Sequence, residues 1–186
     1  MIYLWKIPPN CTSKLMGEYI RGLSPDRFLF LNGTHVPRET INQTIIFEHE
    51  MNKDKISHYD CIPNNSDSPL VNQRVIDLLF KYAPNDVEFF DTEIHCKDGI
   101  LTHYKLLNVT SKVKGIDHEL SVYKILPDTD VMYGIERLVY KPGTMNQHVV
   151  ARDEEFLMNI LVTEDIKQAF EKEKIKGAFF ILPEDY

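Results

Sequence analysis

Two stretches of the chain share one plan, and this repetition constrains the fold more than any other feature of the sequence. The first stretch covers residues 70–90 and the second covers residues 161–180. Each predicts a short apolar segment, a helix of about three turns, a tight turn and a strand that ends in two adjacent phenylalanines. Such a unit packs a helix against a sheet and contains no reactive group. The pattern therefore predicts a fold and does not by itself indicate a chemical reaction.

Each stretch favours one amphipathic helix. In the first, Ser68 is the predicted helix cap and Pro69 suits the first turn, where no amide hydrogen is needed. Its apolar face contains Val71, Val75, Leu78, Leu79 and Tyr82. In the second, Thr163 is the predicted cap and Gly177 the predicted end. The matching phenylalanine pairs predict that both helices lie on one sheet. We expect a shared buried cluster of Leu78, Leu79, Phe170 and one ring of each phenylalanine pair.

Two turn signals predict β-hairpins. Asp98-Gly99 is the clearer one, and a two-residue loop there pairs Cys96 with Leu101 and Phe90 with Leu107. Asn32-Gly33 follows a β-rich run at residues 27–31 and predicts a second hairpin. Further strands are predicted at residues 3–7, 44–48, 131–140 and 147–151.

Strands and helices do not alternate regularly along the chain, which favours an α+β fold over a parallel α/β fold. We predict a largely antiparallel sheet with two main helices packed on it. The length of 186 residues suits a single α+β domain over residues 1–186. The most loop-like stretch is residues 62–69, so a small β-rich N-terminal lobe at residues 1–62 is the alternative.

Composition excludes several classes of function. The chain carries 21 Lys and Arg against 28 Asp and Glu, a formal charge of −7, which disfavours a nucleic-acid-binding protein. No apolar run is long enough to span a membrane, and the N-terminus has no signal-peptide pattern. The cysteines are odd in number and scattered, at Cys11, Cys61 and Cys96. We therefore expect a reduced, cytoplasmic protein.

Motifs that mark enzymes are missing from the sequence. It has no glycine-rich phosphate loop, no dinucleotide-binding motif, no hydrolase nucleophile elbow and no paired-histidine zinc helix. The side chains that remain as possible nucleophiles, bases or ligands are His58, Cys61, His95 and His103. The predicted hairpin register places the last two histidines on opposite faces, so we predict no metal site and no cofactor. A small enzyme of unrecognised type stays an alternative, as does a scaffold or regulatory binding module.

Carboxylates cluster in two loops outside the predicted helices. One cluster contains Asp128 and Asp130, and the other contains Asp153, Glu154 and Glu155. Complementary charge accelerates the association of two proteins and fixes how they dock. These five residues are therefore the candidate contacts with a basic protein partner.

Two parts of the chain resemble one bacterial family. The segment from Gly115 to Ser121 and the closing helix unit with Gly177 resemble immunity family eleven of polymorphic toxin systems, over roughly residues 65–186. Asp117 and Ser121 match its Asp-x-x-x-Ser step, and capping of a turn is their simpler interpretation. The resemblance implies a cytosolic antitoxin that binds and neutralises a toxin encoded beside it. It implies neither catalysis nor a nucleic-acid or membrane partner, and it leaves the oligomeric state open.

Overall fold

The computed structural model describes every residue from 1 to 186. Its strands are β1 (Ile2–Lys6), β2 (Glu18–Tyr19), β3 (Ile45–Glu48), β4 (Cys61–Ile62), β5 (Leu70–Val71), β6 (Val87–Cys96), β7 (Gly99–Leu101), β8 (Lys105–Val109), β9 (Lys112–Val113), β10 (Val122–Ile125), β11 (Met132–Arg137), β12 (Val150–Asp153), β13 (Ile160–Thr163) and β14 (Phe179–Ile181). The α-helices are α1 (Lys53–Ile56), α2 (Gln73–Tyr82) and α3 (Glu164–Lys172). Short 3-10 helices occupy Ser13–Leu15, Arg27–Phe30, Arg38–Thr40 and Pro183–Asp185. No helix is long and apolar enough to cross a membrane.

The strands form two main sheets and one separate hairpin. The five-stranded sheet has the order β14-β1-β13-β12-β9, and only its β12–β9 pair is parallel. The seven-stranded sheet has the order β2-β3-β6-β8-β5-β4, with β7 beside β6, and only its β3–β6 pair is parallel. Strands β10 and β11 pair only with each other. The predicted α+β class with largely antiparallel pairing is confirmed.

The two long helices lie on different sheets, so the prediction of one shared sheet is wrong. Helix α2 contacts β5 and β6 of the seven-stranded sheet, and α3 contacts β1 and β13 of the five-stranded sheet. The helices also contact each other, and their apolar faces meet in one core. The two sheets are therefore joined through the helices that cover them.

Helix α2 begins later than its cap signals predict. Leu70 and Val71 form β5, which pairs on one side with β4 and on the other with β8, so their backbone groups are taken up by the sheet. Asn72 is the actual cap, and its side-chain oxygen accepts the amide hydrogens of Arg74 at 3.1 Å and Val75 at 3.4 Å. Pairing within the sheet has overridden the local Ser-Pro signal.

The end of the second helix also differs from its prediction. Thr163 is at the cap position of α3 but makes no side-chain cap bond, and the helix ends at Lys172. Gly177 lies in the turn before β14 with φ of +93°, and a Cβ there would lie 1.9 Å from the carbonyl oxygen of Cys61. Beside it, the Lys176 carbonyl accepts the amide hydrogen of Cys61 at 2.9 Å. Gly177 thus permits close contact between the edges of the two sheets.

Both hairpin predictions need correction. Cys96 pairs with Gly99 and Phe90 pairs with Leu106, so the β6 register is shifted by two residues at the turn and by one further along. The difference arises because Gly99 is itself a strand residue, and because the chain is irregular between β7 and β8. No strand precedes Asn32-Gly33, because Arg27–Phe30 is a 3-10 helix.

The expected cluster around the second helix is present. Leu79, Phe89 and Phe170 are buried in a core of 17 residues, with Leu78 and Phe180 partly buried against it. Phe170 packs edge-on against the ring of Trp5 at 5.2 Å and against the ring of Phe180 at 5.3 Å. Its side chain therefore links α3 to both β1 and β14.

We propose that the chain forms a single domain. Residues 1–62 supply β1, which lies between β13 and β14 in the five-stranded sheet. They also supply β2, β3 and β4 to the seven-stranded sheet. Because neither sheet is complete without these residues, unfolding of the N-terminal third is expected to disrupt the rest of the chain.

A buried carboxylate fastens the two sheets together. Asp86 precedes β6 and accepts the amide hydrogens of Val149 at 2.7 Å and Val150 at 3.2 Å. It also bonds the His148 ring at 2.8 Å and the Ser111 hydroxyl at 2.9 Å. Burial disfavours its charged form, but these hydrogen bonds outweigh burial and hold the pKa of Asp86 below its ordinary value.

Phe170→Ala should destabilise the protein by about 3–5 kcal/mol, because it leaves a cavity between α3 and β1. Phe80→Ala is the matched control, since that ring on α2 is 51% exposed, and it should cost about 1 kcal/mol or less. Denaturant unfolding monitored by circular dichroism gives both values. Equal losses for the two variants would show that α3 is not packed as described.

The stabilising effect of Asp86 should depend on pH. Because its pKa is lowered by folding, the ionised carboxylate contributes stability that is complete above the unfolded pKa and is lost as the pH falls through the folded pKa. The difference in free energy of unfolding between wild type and Asp86→Asn should therefore shrink as the pH falls from about 5 to about 2. A difference that grows over this range would contradict the assignment.

Candidate protein-binding surface

The Asp-x-x-x-Ser step forms a hydrogen-bonded turn that leads into β10. One side-chain oxygen of Asp117 accepts the amide hydrogens of Glu119 at 3.1 Å and Leu120 at 3.2 Å. The Ser121 hydroxyl oxygen accepts the amide hydrogen of Val139 at 3.0 Å, on the segment that follows β11. These bonds support a structural role for Asp117 and Ser121 at the base of the hairpin.

His118 connects this turn to the second acidic loop. Its Nε2 lies 2.8 Å from a carboxylate oxygen of Glu155, and its Nδ1 lies 2.8 Å from the hydroxyl of Tyr123 on β10. The 117–121 turn, the base of the hairpin and the 153–155 loop are therefore neighbours. Nothing in the sequence spacing alone indicates that these segments meet.

Asp153 is fully buried, so the prediction that it belongs to an exposed acidic cluster is wrong. It accepts a hydrogen bond from the hydroxyl of Tyr140 and the amide hydrogens of Glu155 at 2.9 Å and Phe156 at 3.3 Å. Burial, reinforced by the charge of Asp153, raises the pKa of Tyr140. Asp153 therefore holds its loop in place, and Glu154 is left as the exposed, unpaired carboxylate of this segment.

Asp128 and Asp130 lie in the turn that joins β10 to β11, and both are exposed without an ion pair. The turn is fixed by Thr129, whose hydroxyl donates to the carbonyl oxygen of Leu126 at 3.0 Å and accepts the amide hydrogen of Val131 at 3.1 Å. The two predicted acidic loops thus lie at opposite ends of the hairpin. We call Asp128 and Asp130 at its tip, with Glu154 near its base, the acidic rim.

The whole hairpin region carries negative charge. Residues 117–137 contain five carboxylates and two cations, a formal charge of −3. The carboxylates are Asp117, Glu119, Asp128, Asp130 and Glu136, and the cations are Lys124 and Arg137. A surface of this sign attracts a basic partner and repels an acidic one.

The histidine and cysteine candidates are not assembled into a site. Cys61 is buried, and burial together with the nearby Asp60 raises its thiol pKa well above the ordinary value, which disfavours the reactive thiolate. His95 bonds Glu93 at 3.0 Å, while the rings of His103 and Tyr104 are in contact. No group of three or more His, Cys, Asp or Glu side chains is arranged to hold a metal ion.

Two buried or half-buried cations are not indicated by any motif. Lys6 faces a cavity of about 340 Å³ and donates a hydrogen bond to the side-chain oxygen of Asn159 at 2.7 Å. Burial lowers its pKa to about 8, although Asp153 and Asp67 oppose the shift. The volume of the cavity is at the lower end of the range of small-molecule sites, and 7 of its 15 lining residues, including Trp5, are hydrophobic.

Arg152 on β12 is fully buried and has no carboxylate partner. Its guanidinium donates to the carbonyl oxygens of Leu157 at 2.7 Å, Asp67 at 3.1 Å and Phe30 at 3.2 Å, and to the hydroxyl of Ser68 at 2.7 Å. Burial lowers its pKa to about 10. Its two terminal nitrogens make all of these bonds, while Nε is buried without a partner. Arg152 therefore connects three neighbouring segments through the end of its side chain.

The profile of an immunity protein family (Imm11) matches residues 6–182, nearly the whole chain. The chain belongs to this family. The match is wider than the resemblance over residues 65–186, and it also includes β2, β3 and β4, the N-terminal strands of the seven-stranded sheet. A comparison with curated proteins gives no match.

Asp117→Ala should reduce stability by about 1 kcal/mol, because two amide hydrogens at the start of the turn lose their acceptor. Asp117→Asn is the matched control, since an amide oxygen can accept the same bonds. Thermal unfolding of the two variants gives the comparison. If both variants lost stability equally, the negative charge would matter more than the turn geometry.

Proposed function

We propose that this protein neutralises a cognate toxin in the cytoplasm by binding it directly. Membership of an immunity protein family supports the protective role. The observation that carries the proposal of direct binding is the acidic rim, in which Asp128, Asp130 and Glu154 are exposed and unpaired. Inhibition by occlusion requires a complementary surface and no reactive group.

Charge gives this surface a preferred partner. An exposed carboxylate without a counter-ion loses little by approaching a Lys or Arg on another protein, and long-range attraction raises the rate of encounter. Toxins that act on nucleic acids or other anionic substrates need basic surfaces, and covering such a surface would block the substrate. The acidic rim suits a partner of that kind.

An enzymatic role has less support from the same residues. Cys61 is buried with a raised thiol pKa, and His58 is exposed without a hydrogen-bonding partner that would orient it. A nucleophile needs an adjacent base or a lowered pKa. The arrangement therefore favours binding over catalysis as the means of protection.

The proposal can be tested with the toxin domain encoded by the adjacent gene. Cells that express this domain should survive when the immunity protein is co-expressed, and the two proteins should co-purify as a stable complex. Catalytically inactive toxin should bind equally well, because occlusion does not depend on turnover. Survival without any complex would contradict neutralisation by direct binding.

Neutralising the acidic rim should slow association with the toxin. In Asp128→Asn/Asp130→Asn/Glu154→Gln, association at low salt should be about 10-fold slower and less dependent on ionic strength, with little change in dissociation. The matched control is Glu39→Gln/Glu50→Gln/Asp54→Asn, which removes three exposed carboxylates elsewhere in the chain. Surface plasmon resonance at several salt concentrations measures both rates. Identical salt slopes for the rim variant and the wild type would exclude the rim from steering.

A further inference from the structure

The hairpin of β10 and β11 concentrates exposed apolar side chains. Of the 15 large hydrophobic side chains exposed on the protein, seven lie between residues 120 and 133. They are Leu120, Val122, Ile125, Leu126, Val131, Met132 and Tyr133. Soluble monomers rarely leave a contiguous apolar patch uncovered, and such patches often mark sites of protein binding. This concentration therefore needs a physical explanation.

The outer part of the hairpin is exposed to solvent on both strands. Ile125 and Met132 are paired across the two strands, and both are exposed. Their sequence neighbours Leu126, Val131 and Tyr133 are exposed as well. Since successive side chains of a strand point to opposite faces, both faces are open in this part. We call residues 125–133 the distal ribbon.

The base of the hairpin is packed, in contrast to the distal ribbon. Ile135 is buried and its cross-strand partner Tyr123 is partly buried, and both belong to the core that contains Leu4 and Leu161. A two-stranded hairpin is only marginally stable alone in water. Anchoring at the base therefore presents the distal ribbon in an ordered form without covering it.

We propose that the distal ribbon is the central contact with the toxin, inserted into an apolar groove bordered by Lys or Arg side chains. This inference rests on the proposed function and specifies the surface that performs it. The apolar ribbon is flanked by the acidic rim, and interfaces typically combine an apolar centre with a polar border. Asp128 and Asp130 lie at the tip of the ribbon, so we expect the Lys or Arg side chains to border the end of the groove that receives this tip.

Charge argues against a second copy of this chain as the occupant. Two ribbons packed side by side with their tips together would bring Asp128 and Asp130 of one copy close to the same residues of the other. The region carries a formal charge of −3, so self-association would place like charges together. A basic partner provides the opposite charges that such packing requires.

The experiment removes the apolar contact without changing the charge. Ile125→Ser/Met132→Ser should weaken binding of catalytically inactive toxin from the adjacent gene by about 100-fold, because two central apolar contacts are lost. The loss should appear mainly in the dissociation rate, unlike the effect of the rim variant. The matched control, Leu23→Ser/Phe28→Ser, alters two equally exposed apolar side chains elsewhere and should bind within about twofold of wild type.

Folding can be checked independently, because no residue of the distal ribbon belongs to a hydrophobic core cluster. The melting temperature of Ile125→Ser/Met132→Ser should equal that of wild type within a few degrees, about the effect of an ordinary surface substitution. If the unfolding temperature falls, Tyr133→Ser, which changes only one exposed side chain, must still increase the dissociation rate at an unchanged unfolding temperature. An unchanged dissociation rate in this variant would contradict the ribbon proposal.

Each outcome has a distinct meaning. If wild type binds the toxin and the ribbon variant binds equally tightly, the ribbon proposal is wrong and the proposed function stands. If wild type does not bind, both are wrong. Sedimentation of the free protein provides a third result, since a stable wild-type dimer that the ribbon variant abolishes would show that the ribbon contacts a second copy instead.

Discussion

The buried guanidinium of Arg152 is the interaction on which the arrangement of the loops depends. An unpaired charge taken out of water costs several kcal/mol, so it persists only where hydrogen bonds replace its hydration. Here the replacements are main-chain carbonyls of residues 30, 67 and 157 and the hydroxyl of Ser68. Neither the 3-10 helix Arg27–Phe30 nor the segment at residues 63–69 belongs to a strand of either sheet. Arg152 therefore gives both segments a defined position against β12.

Asp153, the next residue of β12, makes its side-chain contacts on the opposite face of the sheet. Neighbouring side chains of a strand point in opposite directions, so Arg152 reaches the segments described above while Asp153 bonds Tyr140. Tyr140 follows β11, and its segment is bridged to Ile116 before the 117–121 turn. The adjacent residues Arg152 and Asp153 therefore connect β12 to the core loops on one side and to the base of the hairpin on the other. A disturbance at β12 would reach both the core loops and the candidate binding surface.

The sequence predicts correctly those helices whose buried face follows directly from the spacing of their apolar residues. Phe170 and Leu79 are buried as expected, because a helix face of period 3.6 is visible in a single sequence. The cap signals fail at the start of α2 because Leu70 and Val71 are taken up between β4 and the more distant strand β8. The pairing of Phe90 with Leu106 depends on the irregular segment between β7 and β8, which turn propensities do not specify.

The candidate surface was less predictable than the fold. In the sequence, nothing distinguishes Asp153 from its acidic neighbours Glu154 and Glu155. Only the structure reveals that Asp153 is buried and bonded to Tyr140, 13 residues earlier in the chain. Lys6 and Arg152 carry no motif, because burial of a single cation leaves no periodic signal. Strands β10 and β11 are rich in apolar residues, and the structure leaves most of these residues exposed. Their separation from both main sheets also frees them from the packing constraints that limit change elsewhere. Side chains at the tip can be exchanged over generations with little loss of stability, so recognition can diverge while the scaffold is preserved.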